Sequence, residues 1–79
     1  MDTAIFETVR NIICDTADIP PQDITPQSVM MDDLSLSSME LMTVVNQAER
    51  AFAITIPEKD LRRFITVEDL VSYLTSHAK

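Results

Sequence analysis

Three stretches of this 79-residue chain repeat apolar residues at intervals of three and four. Ile5, Phe6, Val9, Ile12 and Ile13 make the first stripe. Leu41, Val44, Val45, Ala48 and Phe52 make the second, and Val67, Leu70, Val71 and Leu74 the third. Such spacing gathers each set on one face of an α-helix, so a packed helical core is the simplest way to remove all three from water. The pattern predicts helices from about Thr3 to Thr16, from near Ser37 to about Phe52, and after Thr66. Asp2 or Thr3 can cap the first, and Thr66 the last. Pro57 can open a short helix from Glu58 to about Phe64. The stretch Ala53 to Pro57 is β-branched but has no second strand to pair with. It therefore reads as a loop with Ile54 and Ile56 turned inward.

Between the first two stripes lies a long connection, from Asp18 to Leu36. Pro20 and Pro21 stop a helix there, and Pro26 discourages another. Loops of this length need pins. Ile19, Ile24, Val29, Met30, Leu34 and Leu36 are the apolar residues available to pack it across the helices. The sum is an all-α four-helix bundle in one domain over 1–79, with three longer helices, one short helix and a long first loop.

Charge narrows the function. Thirteen acids against six bases give a net charge of −7. Such a surface repels nucleic acid and anionic lipid and favours basic protein partners. No apolar run could span a bilayer, and the N-terminus lacks the basic-then-apolar order of a secretory signal. A cytoplasmic monomer is the expectation. Cys14 is the single cysteine, so no internal disulfide is possible, and a buried, inert thiol is expected. His77 is the single histidine, and nothing else in the sequence supports a Cys–His dyad. Glycine is absent, which removes phosphate-cradling loops and the sharp turn of a calcium hand. No zinc-ligand spacing occurs. No catalytic residue and no metal ligand set emerge, and the chain does not read as an enzyme.

One stretch stands apart, "DDLSLSSMEL", from Asp32 to Leu41. Asp32, Asp33 and Glu40 have no histidine nearby and no deep pocket in which to work as acid and base. The serines lack a base and so do not form hydrolase machinery. Ser37-Ser38-Met39-Glu40 fits a capping box, with Ser37 as cap. Ser38 then takes the first helical position and projects outward. A hydroxyl there suits a phosphate ester, because the helix amides and dipole tolerate added negative charge. Met39, Met42 and Asn46 form a second stripe on the same helix. It is either further core beneath the loop or an exposed, pliable contact surface.

From Ile24 to Leu74 the order of features resembles the acyl carrier protein family. The pieces are "ITPQSV", then "DDL", then a serine followed by an apolar residue. A helix ending in Glu49-Arg50-Ala51-Phe52 follows, then Ile54-Thr55-Ile56-Pro57, and finally "FITVEDLVSYL". The resemblance implies a right-handed four-helix bundle with a long first loop. It implies that Ser38, in the place of the serine of the family's Asp-Ser-Leu triplet, carries a 4'-phosphopantetheine arm. A phosphopantetheinyl transferase would install the arm from coenzyme A, and its thiol would hold an acyl thioester. Asp32, Asp33, Glu40 and Glu49 would attract basic docking patches on acyl-transferring and acyl-modifying enzymes, with Met39 and Met42 adding apolar contact. Val44, Val45, Ala48 and Phe52 would line an interior for a short acyl chain. Ser37 replaces the family's acid, Met39 its leucine and Ser35 its glycine after "DL", while Thr43 and Arg50 stand where acids are usual. The expectation is a free-standing acyl carrier for fatty acid or polyketide type biosynthesis. An aminoacyl or peptidyl carrier of nonribosomal peptide synthesis stays open, as does a helical interaction module without a prosthetic group.

Overall fold

The computed structural model describes residues 2–77. Four α-helices follow in order: α1 (Thr3–Ala17), α2 (Ser38–Phe52), α3 (Glu58–Leu61) and α4 (Val67–His77). The expected three long helices, one short helix and long first loop are all present. No helix among the described residues is long and apolar enough to cross a membrane.

α1 packs against both α2 and α4. Its buried stripe is Phe6, Val9, Ile12 and Ile13, which meets Val44, Val45 and Ala48 of α2 and Val67, Leu70, Val71 and Leu74 of α4 in one cluster. Each of the larger side chains buried this way stabilises the fold by about 1.5–3 kcal/mol. Leu41 and Phe52 only flank that core, half-buried. Cys14 is likewise half-buried rather than fully enclosed, because its position falls at the edge of the α1 stripe.

The first loop is more regular than its prolines suggest. Pro21 opens a single 3-10 turn, Pro21–Asp23. A proline at the first position gives up only an amide that would lack a partner anyway. Beyond it, Ile24, Met30, Leu34 and Leu36 are buried in the core, while Ile19 and Val29 are half-buried. The loop is also held by its backbone. Val67 donates its amide to the Ser28 carbonyl (3.0 Å), and Glu68 to that of Pro26 (2.9 Å). The first amides of any helix lack partners within it, and here the loop supplies them. Met30 returns a bond to Ile65 O (2.9 Å), and Val29 and Thr66 form an isolated antiparallel bridge. Thr66 completes the expected cap. Its hydroxyl accepts from Asp69 N, and its own amide donates to Asp69 Oδ2.

Without glycine, the chain ends two helices on residues that bear a Cβ. Asp18 (φ 60°) closes α1 and Ala53 (φ 54°) closes α2, both left-handed, donating to Cys14 O and Glu49 O respectively. The Ala53–Pro57 loop follows with Ile56 buried and Ile54 half-buried. Glu49 Oε2 accepts from Ile56 N at 2.7 Å and ties that loop to α2.

α3 ends at Leu61, three residues short of Phe64. Its turn continues through three-residue bonds, Arg63 N to Asp60 O and Phe64 N to Leu61 O, a tighter winding common at helix ends. No residue of α3 is fully buried. Its tether is polar: the Tyr73 hydroxyl donates to Asp60 Oδ2 at 3.0 Å. Phe64 packs edge-on against the Tyr73 ring, and His77 stacks on it, 4.0 Å between centroids.

Two expectations follow. Replacing Ala53 with Gly relieves the left-handed strain and should raise stability by about 0.5–1 kcal/mol after the entropic cost of glycine, read as a higher urea midpoint. Tyr73 is the only tyrosine and tryptophan is absent, so phenolate absorbance reports it alone. Desolvation first, and the Asp60 carboxylate second, raise its pKa above 10.0. The folded state therefore holds its proton more tightly than the unfolded one. That stabilisation is intact below pH about 10 and is lost as pH rises through the folded value. Asp60→Asn should lower the titration midpoint without bringing it fully back to that of a free phenol.

Candidate functional site

The turn before α2 sets the site. Asp33 Oδ2 accepts from Val29 N at 2.8 Å, while the Asp33 and Leu34 amides both return to Val29 O. This small turn buries Leu34 and leaves Asp32 and Asp33 exposed. Ser35 follows in the left-handed region at φ 55°, where a glycine would carry no steric cost. Leu36 is buried and donates to Met30 O (3.1 Å). Buried Leu34 and Leu36 on either side of Ser35 fix where the chain enters α2.

The helix opens as the serine pattern predicts. Ser37 is the N-cap. Its Oγ accepts from Glu40 N at 3.1 Å, and Glu40 Oε1 accepts from Ser37 N at 2.9 Å. Ser37 is thereby committed to the backbone. Ser38 is the first helical residue and is exposed, and no protein group among the described residues takes up its hydroxyl. It stands at the positive end of a 15-residue helix, where an oxyanion or phosphate group is stabilised by the aligned amides.

The second stripe of α2 is surface, not core. Met39 is 81% exposed and Met42 44%, and Asn46 is exposed beside them. The loop does not cross them because Leu34 and Leu36 draw it into the bundle instead. The acids expected to serve docking divide into groups. Asp32 is exposed with no intramolecular partner among the described residues. Asp33 and Glu40 each spend one oxygen on a backbone amide. Glu49 is half-buried against Ile56 N, farther down the helix.

Of the four residues expected to line an interior for a short acyl chain, Val44, Val45 and Ala48 are at most 2% exposed inside the packed core, and Phe52 is half-buried at its edge. An open groove of about 310 Å³ lies instead between the first loop and α3, with Met31, Asp32, Leu41, Leu61, Arg62 and Ile65 on its walls. Leu41 sits one turn beyond Ser38, a step of roughly 5–6 Å between Cβ atoms. Reading along the chain misses this groove, because its walls come from three segments brought together by the fold. The structure marks it by the exposed apolar side chains of Met31 and Ile65. A wider cleft of about 530 Å³ between α1 and α2 reaches Gln47, Arg50 and Ala51, roughly 13–20 Å along the helix from Ser38.

Residues 7–74 match the family described as phosphopantetheine attachment site. The chain is 31% identical over 75 residues to an acyl carrier protein of Clostridium perfringens, covering 95% of this chain and 99% of that one. An acyl carrier protein of Campylobacter concisus is 26% identical over 76 residues, 96% and 99% of the two chains. One of Helicobacter hepaticus is 29% identical over 77 residues, 98% and 99%.

The cap can be separated from the hydroxyl beside it. Ser37→Ala removes the acceptor for Glu40 N and should cost about 0.5–2 kcal/mol, measured by urea unfolding. It should leave the exposure of Ser38 unchanged.

Proposed function

The chain belongs to the phosphopantetheine attachment-site family of acyl carrier proteins, and on that premise we propose that Ser38 is the residue that carries the arm. Members of this family are carriers rather than catalysts, and 4'-phosphopantetheine is their covalently attached group. One observation favours Ser38 over its neighbours: Ser37 is engaged in the capping box, whereas Ser38 is exposed and its hydroxyl has no partner among the described residues. Ser35, with a left-handed backbone inside the loop, lacks the helix terminus that favours a phosphate.

The residues present fit the group. When bound, the arm supplies a thiol whose acyl thioester can be passed between enzymes. The chain's own part is to present, position and be recognised. The α2 terminus stabilises the phosphodiester charge. The buried pair Leu34 and Leu36 holds the terminus still relative to the bundle. Asp32, Asp33 and Glu40 place three negative charges within one stretch of ten residues, which steers a basic transferase or acyl-handling enzyme toward the serine. Met39 and Met42 supply adaptable apolar contact on arrival. Glu49 adds to the field from farther along the helix, although its carboxylate also serves the fold.

The finer reading is a single carrier domain over 1–79, cytoplasmic and monomeric, that hands acyl intermediates between enzymes of a fatty acid or polyketide type pathway. What supports it is the name shared by the relatives and the net charge of −7.

Intact mass spectrometry tests the assignment. Incubation with coenzyme A and a broad-specificity phosphopantetheinyl transferase should add the mass of one arm to the wild type and none to Ser38→Ala. Ser37→Ala should still be modified. A gain that survives in Ser38→Ala moves the site, and no gain in the wild type favours an interaction module without a prosthetic group.

A further inference from the structure

Among the described residues, three that bear a Cβ hold a left-handed backbone: Asp18, Ser35 and Ala53. Two of them have an ordinary reason. Asp18 and Ala53 close helices, where this conformation is common, and their amides donate to Cys14 O and Glu49 O. Ser35 closes no helix. It lies at φ 55° between the turn at Val29 and the cap of α2. Its side chain is exposed. Neither its backbone nor its hydroxyl makes a hydrogen bond among the described residues. No bond of its own therefore offsets the steric cost of the left-handed region.

Its neighbours are held on both sides. Leu34 is buried and donates to Val29 O (3.2 Å), and Leu36 is buried and donates to Met30 O (3.1 Å). Ser37 and Glu40 close the capping box immediately afterwards. Ser35 is thus the joint between two fixed pieces, the loop turn and the first turn of α2. Burial of Leu34 and Leu36 keeps the joint left-handed, against the preference of serine for negative φ. A backbone held against its own preference marks a constraint imposed at a site. A negative φ here would redirect the chain as it leaves Leu34, and with it Ser37 and the hydroxyl of Ser38.

We propose that Ser35 is a positioning residue for modification at Ser38: its left-handed backbone, not its hydroxyl, sets the direction in which α2 presents the serine. The proposal rests on the reading of Ser38 as the attachment residue. In that transfer Ser38 Oγ bonds to the phosphorus of coenzyme A that bears the pantetheine. The phosphoanhydride bond breaks, adenosine 3',5'-bisphosphate leaves, and the hydroxyl proton passes to a base of the transferase. The reaction needs the oxygen close to the phosphorus and aligned with the breaking bond, and an error of about 1 Å costs on the order of a hundredfold. Position 35 is then selective by conformation. Glycine and asparagine enter the left-handed region readily, whereas a residue branched at Cβ is excluded from it.

Steady-state kinetics with coenzyme A, a broad-specificity phosphopantetheinyl transferase and the apo protein as varied substrate test the proposal. Ser35→Thr keeps the hydroxyl but adds the branch, and should lower kcat about tenfold with a smaller change in KM. Ser35→Gly and Ser35→Asn lose the hydroxyl but keep the conformation, and should stay within about twofold of the wild type. Ile13→Val lowers the urea midpoint through the core of α1 instead and should leave kcat unchanged, which separates positioning from stability. Amide hydrogen exchange needs no enzyme. Ser35→Thr should speed exchange at Ser37 and Glu40 about tenfold while Val67 of α4 stays as protected as in the wild type. Wild-type kcat in Ser35→Thr, an equal loss in Ser35→Asn, or an equal loss in Ile13→Val would each overturn the proposal. No modification of the wild type would remove the reading of Ser38 instead. The exchange measurement then decides alone, and unchanged exchange in Ser35→Thr would overturn the role of Ser35.

Discussion

The N-terminus of α4 organises this small protein. A helix begins with amides that its own turns cannot satisfy. In α4 the carbonyls of Pro26 and Ser28, from a loop some forty residues earlier, accept two of them. Thr66 and Asp69 close the rest of the turn. That arrangement fixes the middle of an otherwise long and costly connection. Ser28 itself is buried, yet its hydroxyl accepts from Thr25 N and pairs with the Thr25 hydroxyl, so the polar atom carries no desolvation penalty without compensation. Once residues 26–30 are docked on α4, the next turn has little freedom. Leu34 and Leu36 enter the core, Asp33 closes on Val29, and Ser37 arrives where it can cap α2.

The placement of Ser38 is thus the last link in a chain of constraints that starts at α4 and runs through the first loop, none of which uses the Ser38 side chain. This division suits the role proposed for Ser38. A hydroxyl that helped hold the helix would be occupied by the helix. Here the stabilising role falls to Ser37 and Glu40, and the neighbouring hydroxyl makes no hydrogen bond among the described residues. The replacement of the family's acid by Ser37 follows the same logic. Serine caps as well as aspartate does, and the charge given up at that position is retained nearby on Asp32, Asp33 and Glu40.

What could be read along the chain was whatever rests on local spacing. The buried faces of α1, α2 and α4 follow from apolar periodicity, and the capping box from four consecutive letters. The identities of the loop's pins were also legible, because isolated apolar residues among prolines have few other uses. Features built from distant segments were not. The 3-10 turn at Pro21, the early end of α3 and the tether from Tyr73 to Asp60 depend on packing that periodicity does not encode. Whether Met39 and Met42 were core or surface could not be decided from spacing, since both faces of α2 carry apolar residues. The outcome was set by Leu34 and Leu36 drawing the loop inward. Glu49 shows the converse. Its charge and helical position suggest a docking acid, yet the amide of Ile56, seven residues on, has claimed one oxygen.

α3 is where stability and recognition meet. It buries no residue fully and is anchored at its ends, by Ile56 on one side and Phe64 on the other, with the phenol of Tyr73 between them. Asp60 can face inward because Tyr73 satisfies it, and this leaves Lys59, Arg62 and Arg63 as the outward charge of the segment. Asp60 also lies 4.0 Å from Arg63 Nε and offsets part of that base, while Lys59 and Arg62 carry the rest of the outward charge. A partly buried hydrogen bond therefore ties α3 to α4 and turns Asp60 inward. A carrier that must be recognised by more than one enzyme gains from such a surface: acidic near the serine, basic one helix away, and apolar in between.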